Sequence, residues 1–436
     1  MSLLLLLLPA FAGPHAQALA EHGHIVPSWA GGLRPGAPLA LQPPAAAAER
    51  ATVYGYHPYW GVDPTTLDFA RLTHLAIFTT TMETDGTLSG TRYWTDTAPA
   101  VVPLAHAAGV KVHLTVVAFD DEQHDAILPS ASKRASIIAE LVDLVQAYDG
   151  DGVNVDIEGM SSAYRDELVL FTQELKAALP PGQDEVWHAT PAVDWSGAYD
   201  YDRLCAASDG LFIMGYGYHW SGGDPGPNAP LYGESPWSSY ALDWTVQDYL
   251  DNGAPAHCLV VGLPSYGHEW RMANPAEVPG TASSSGSSVT LVNALPIAEA
   301  EGRLWDEVTR TPYVIREDGQ LWYDDSESLR EKIAWSVDQG VQGVGFWALG
   351  YEGEDPDFWQ MVEDETSWPA GETGDGGLGD GGLGEDEGPE GEGGLGRRED
   401  GETKGGCASV PLGGGALSLV MFVMVGRRRR APRRVV

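Results

Sequence analysis

The chain reads as a (β/α)8 barrel, and three observations predict it. Short β-rich runs alternate with helical stretches of 3.6-residue apolar spacing from Ala51 to about Trp368. Eight such units over roughly 300 residues are the count and length of this barrel. The run Asp151-Gly152-Val153-Asn154-Val155-Asp156-Ile157-Glu158 puts three apolar residues on one strand face and Asn154, Asp156 and Glu158 on the other. Both faces of a parallel barrel strand are buried, so carboxylates there are costly unless paired or working.

The elements follow in order. Leu3 to Leu8 form a short apolar core and Ala18-Leu19-Ala20 supplies small residues for cleavage, so residues 1–20 read as a secretory signal peptide. Residues 21–50 are rich in Ala and Pro and read as a linker. The barrel, residues 51–368, has strand-like runs at Val53–Tyr56, His74–Thr79, Lys111–Val117, Gly152–Ile157, Val186–Thr190, Gly210–Tyr216, Leu259–Gly262 and Gly343–Trp347. Helix-like spacing appears at Ser136–Tyr148, Ala163–Leu179, Ser238–Asn252 and Ser328–Gln339. The link between the seventh and eighth strands is too long for one helix. It holds the Ser-rich Thr281–Thr290 and strand-like Tyr313–Ile315 and Leu321–Tyr323, so residues 269–325 read as a small α+β insertion walling a groove.

Residues 369–406 are mostly Gly, Asp and Glu, cannot pack a core, and read as a disordered stalk. Residues 407–436 hold Cys407, the apolar stretch Val410 to Val425, and an arginine-rich end. The apolar stretch is near the lower limit for spanning a bilayer, and the arginines would stay cytoplasmic. Membrane anchoring by this tail would leave the barrel outside the cytoplasm.

A net charge of −37 excludes a nucleic-acid partner, since phosphate binding needs basic surface. The scattered histidines lack a metal-binding spacing, and no cofactor is implied. No surface for a partner subunit is apparent, and a monomer is expected. Three cysteines are too few for a disulfide framework. Cys205 and Cys258 each precede strands expected to be neighbours. A bridge between them and two buried thiols are both open.

Catalytic groups of such barrels lie at the C-terminal ends of strands. Glu158 ends the fourth strand, and Asp156 lies about 6–7 Å back on the same face. Two carboxyls on one side of a glycosidic bond cannot flank it as ordinary glycosidases require. They suit substrate-assisted catalysis, with a 2-acetamido oxygen of the sugar as nucleophile.

The residues resemble family 18 glycoside hydrolases, the chitinase family. The fourth-strand signature Asp-Gly-x-Asp-x-Asp-x-Glu is matched at Asp151, Gly152, Asp156 and Glu158, with Asn154 where Asp is usual. Met214-Gly215-Tyr216-Gly217 resembles the sixth-strand Met-x-Tyr-Asp, Trp347 the eighth-strand Trp, and Val53 to Trp60 the first strand. The resemblance implies a general acid/base in Glu158 and an acetamido-orienting carboxylate in Asp156. It implies a hydrogen bond from Tyr216 to the acetamido oxygen, and Trp347 as the floor under the −1 sugar. Asn154, Met214, Tyr56 and Trp220 are the further substrate-binding candidates. Asn154 and Gly217 each remove a usual carboxylate, which predicts weaker binding or slower turnover. The stretch from Tyr216 to Pro227 resembles the branch containing bacterial spore-cortex and other peptidoglycan N-acetylglucosaminidases. The C-terminal tail resembles the MYXO-CTERM sorting tag, which implies modification of Cys407, removal of the tail beyond it and a protein anchored at the cell surface.

The expectation is a secreted, surface-anchored hydrolase of β-1,4-linked N-acetylglucosamine polymers, whether chitin, chitooligosaccharides or peptidoglycan. The alternative is a catalytically weak or silent, lectin-like module that binds these glycans on the same barrel.

Overall fold

The computed structural model describes residues 13–26, 51–182, 184–353 and 355–367. The linker residues 27–50, the stalk and the Cys407 tail lie outside the described residues, as does the apolar core of the expected signal peptide. Among the described residues no helix is long and apolar enough to cross a membrane.

Eight parallel strands close on themselves. In chain order they are Thr52–Pro58, His74–Met82, Lys111–Ala118, Gly152–Ile157, Glu185–Pro191, Gly210–Met214, Leu259–Pro264 and Gly343–Trp347. Each pairs with its sequence neighbour, and the first pairs with both the second and the eighth. The strands are buried on both faces, and their alternation sorts side chains into two layers. Val53, Leu75, Val112, Leu114, Val153 and Val344 face outward to the helices. Tyr54, Tyr56, Phe78, Trp187, Phe212 and Trp347 fill the lumen. That many large rings need small neighbours. A Cβ on Gly262 or Gly345 would lie 2.4 Å or 2.5 Å from the Phe212 ring, so glycine makes the room.

The outer helices include Ala131–Ala147, Arg165–Ala178, Leu242–Asp251 and Ser326–Asp338, each amphipathic stretch of the sequence having become one. The insertion begins at Tyr266, directly after the seventh strand, rather than at Glu269. It is a five-stranded antiparallel sheet in the order Ser287–Thr290, Tyr266–Arg271, Gly319–Trp322, Thr311–Ile315, Leu304–Asp306, with the helix Leu291–Glu301 between its strands. A buried pair, Lys332 with Asp324, ties its end to the following barrel helix. Cys205, on the helix Tyr201–Ala207, is bonded to Cys258, which immediately precedes the seventh strand; their Cα atoms are 6.0 Å apart. That bond lies at the end of the barrel opposite the carboxyl ends of the strands.

One further element had no counterpart in the sequence reading. Pro14–His22 forms a nine-residue helix, with Gly13 as N-cap and Pro at its first position. Proline there suits the first helical turn, whose N–H groups lack intrahelical partners anyway. This helix lies across the mouth of the barrel.

Candidate active site

The fourth strand delivers Asp156 and Glu158 to the mouth. Asp156 points into the lumen and is fully buried; Glu158 follows the last strand residue and is 2% exposed. The backbone is held at this point by Glu158 N–H, which donates to Ala118 O at 3.2 Å, and by the Tyr199 hydroxyl, which donates to Ile157 O. The sixth strand ends at Met214. A tight turn follows, with Tyr216 N–H donating to Met214 O at 2.7 Å, and it swings the Tyr216 ring over the lumen. The Trp347 ring, at the end of the eighth strand, closes the floor beside Phe78 and Tyr56.

Burial sets the electrostatics. It pushes the Asp156 carboxyl well above the usual range. It also pushes Glu158 up to about 8, and the charge of Asp156 adds to that shift. His15 and the backbone N–H groups of His15 and Ala16 act in the opposite direction. Glu158 therefore holds a proton near neutrality, as a general acid must. The Oδ1 atom of Asp156 is buried with no hydrogen-bond partner among the described residues.

The candidate residues divide by position. Asp156, Glu158, Tyr216 and Trp347 surround one small space, and Tyr56 borders it. Met214 lines the adjoining cavity of about 790 Å³, which begins at Glu158 and opens outward past Trp220. Asn154 is buried deeper, and its amide is used by two phenols. It accepts from the Tyr56 hydroxyl at 3.0 Å and donates to Tyr54 at 3.1 Å, with Asp156 absent from its partners. Phenols thus occupy both polar atoms of this amide. Sequence reasoning missed Trp195, Trp237 and Tyr240, which line the same cavity. Trp195 is 65% exposed, and its place in a loop after the fifth strand was the available signal.

Two groups of side chains have metal-like spacing among the described residues. One is His15, Asp156 and Glu158, in the site itself. The other is His74, His113 and Glu185 at the far end of the barrel. There Glu185 already accepts from Trp187 Nε1 at 2.8 Å and pairs with Lys111, so its oxygens are in use.

A closed parallel barrel with an acid pair ending one strand, and a tyrosine and a tryptophan converging on it, defines a glycoside-hydrolase type of site. Residues 52–352 match the model of glycosyl hydrolases family 18, and the chain belongs to that family. It is 28% identical to di-N-acetylchitobiase of Mus musculus over 57% of this chain and 73% of that one. It is 24% identical to the cortical fragment-lytic enzyme of Bacillus cereus over 64% and 65%. The match spans only 58% of a Bacillus subtilis relative and 40% of a Caenorhabditis elegans one. The crystal structure of a chitinase from Trichuris suis superposes with a TM-score of 0.67 at 19% identity, over 72% of this chain and 99% of that one.

Proposed function

We propose that the barrel hydrolyses β-1,4-linked N-acetylglucosamine polymers, such as chitin, chitooligosaccharides or peptidoglycan, with retention of anomeric configuration. The observation that carries this is the convergence of Asp156, Glu158, Tyr216 and Trp347 on one sugar-sized space. Trp347 offers an apolar face for a pyranose ring, whose C–H face is apolar and whose rim is polar. The acetamido oxygen attacks the anomeric carbon while Glu158 gives its proton to the departing glycosidic oxygen. The glycosidic C–O bond breaks as the new C–O bond closes a cyclic oxazolinium cation. Asp156 accepts from the acetamido N–H and stabilises that cation, and Tyr216 donates to the acetamido oxygen and orients it. Glu158, now ionised, takes a proton from water, which opens the ring at the anomeric carbon.

Export to the cell surface is the setting we propose for it. The apolar leader, the Cys205–Cys258 bond and the Cys407 tail with its sorting-tag resemblance all support that reading. The test of the activity is reducing-end release from N-acetylglucosamine oligomers and from purified peptidoglycan. Glu158→Gln should abolish release and leave sugar binding intact, because the side chain keeps its shape and loses its transferable proton. Unchanged turnover in that variant refutes the mechanism.

A further inference from the structure

The sugar-sized space is filled by the protein's own N-terminal segment. His15 is fully buried there, and its ring lies on Trp347, with centroids 3.9 Å apart at an interplanar angle of 26°. Its Nδ1 is 2.8 Å from Asp156 Oδ2 and its Nε2 is 2.6 Å from the Tyr216 hydroxyl. The backbone N–H groups of His15 and Ala16 donate to the two oxygens of Glu158, at 3.1 Å and 2.8 Å.

Each contact has a chemical sense. Burial lowers the His15 pKa to about 4, so the ring is neutral and carries one N–H. In the tautomer with its proton on Nδ1, that nitrogen donates to Asp156 Oδ2. Nε2 is then left to accept the Tyr216 hydroxyl. A donor to Asp156 and an acceptor from Tyr216 are the two polar faces of an acetamido group, so the imidazole copies the part of the sugar the site is built to grip. The positive end of the helix, with its free N–H groups, sits on the carboxyl that must move protons.

The fit extends along the segment. Gly13 passes so close to Glu158 that a Cβ there would lie 2.6 Å from Cδ and 2.7 Å from Oε2. Farther on, Glu21 reaches Ser221 Oγ at 3.3 Å and also bonds Ser288 of the insertion, while the Tyr59 hydroxyl donates to Gly23 O. Nine residues are too few to hold a helix in water by themselves, so these contacts with the groove sustain it.

We propose that the segment from Gly13 to His22 is a built-in inhibitor that imitates the acetamido sugar, so that the chain carrying it in place is latent. The imitation rests on the acetamido-sugar reading of the site; the occlusion rests on the contacts alone. The small-residue sequence Ala18-Leu19-Ala20 lies within the docked helix. A peptidase adding water across the Ala20–Glu21 peptide bond would release Gly13, His15 and Ala16 together. Export and activation would then be one event.

The full chain tests this with a specific protease site inserted after Val26. Hydrolysis of N-acetylglucosamine oligomers is followed before and after the cut, and in uncut His15→Ala and Gly13→Ala chains. A segment docked ~90% of the time lowers apparent substrate affinity ~10-fold, so cutting and either substitution should restore about that factor. Equal rates in all four, with hydrolysis present, overturn the proposal and leave the glycosidase reading standing. If no form hydrolyses the oligomers, that reading fails, and size-exclusion chromatography of the cut protein decides occlusion separately. Co-elution of the released peptide, with its displacement by the oligomers, upholds occlusion; separation of peptide and barrel without sugar overturns it.

Discussion

Replacing Tyr216 with Phe probes the site and its occupant together. The ring is buried among lumen aromatics, and the change removes one oxygen without altering packing volume, so the barrel should fold as before. With the segment cut away, the proposed mechanism makes the hydroxyl the donor that orients the acetamido oxygen for attack. Loss of a positioning contact of this kind costs roughly 10²-fold in kcat, about 2.7 kcal/mol of barrier. With the segment in place the same hydroxyl lies 2.6 Å from His15 Nε2. Its loss leaves a buried acceptor unpaired, at about 1–3 kcal/mol. That weakens docking by roughly 5–150-fold. The variant should therefore be slower than its parent when cut, yet gain less from cutting than the parent does. The assay is kcat and KM on N-acetylglucosamine oligomers for parent and variant, each cut and uncut, with melting curves as the folding control. An unchanged kcat in the cut, correctly folded variant refutes the role given to Tyr216.

Two further outcomes follow from the same structure. Cys205 and Cys258 close a loop across a separation of 53 residues. Loop entropy assigns such a bond about 4 kcal/mol, and an unfolding entropy of about 2.1 cal/mol/K per residue over about 300 residues converts that to roughly 6 °C. The Cys205→Ala, Cys258→Ala pair should melt lower by that amount with 25 °C activity intact; free thiols in non-reducing peptide mapping, or no change in melting, contradict it. Glu158 acts as an acid only while protonated, so kcat/KM should fall as pH rises through its pKa. Burial is the main cause of its value of about 8, and Gly13, His15 and Ala16 supply part of that burial. Cutting admits water, which lowers the value, and also removes the His15 and Ala16 donors that had held it down. Burial is the larger cause, so the alkaline limb of the cut enzyme should lie below pH 8, and a limb at or above 8 would contradict this account.

Much of the barrel was legible because its strands announce themselves by composition and its helices by period. Gly152–Ile157 and Gly343–Trp347 were read to the residue. Five of the others run on by one to three residues, as His74–Met82 does, because pairing with a neighbour extends a strand past its own β-rich run. The sixth stops at Met214, two residues short of the run Gly210–Tyr216, where the chain turns. Asp156 and Glu158 stood out because carboxylates on a buried strand need a reason. The partners of Asn154 did not, because Tyr54 and Tyr56 lie about a hundred positions away and meet it only through barrel closure. Trp195 and Tyr240 were missed for the same cause: loops of different length bring them to one wall. The docking of His15 was least legible of all. An apolar leader followed by small residues has the pattern of an export signal, and nothing local in Pro14-His15-Ala16 records contacts more than 140 residues distant.

Gly217 links the site to the segment. In sequence it stands where the family usually has Asp, and by itself the loss suggests a weakened enzyme. Its φ of +81° is a conformation glycine adopts freely and most side chains resist. Its N–H donates to Asn228 Oδ1 at 2.8 Å, so the turn is anchored where it stands. A Cβ at this point would lie 3.1 Å from Pro14 Cγ, and a carboxylate beyond it would compete for the space the first turn of the helix fills. Gly13 is constrained on the opposite side of that turn by Glu158. Two glycines thus admit the segment from both sides, one in the segment and one in the barrel. On the proposed latency the missing side chain is the clearance that lets Pro14 and His15 enter, and on the proposed mechanism its absence leaves Glu158 and Asp156 in place to act once the segment has gone.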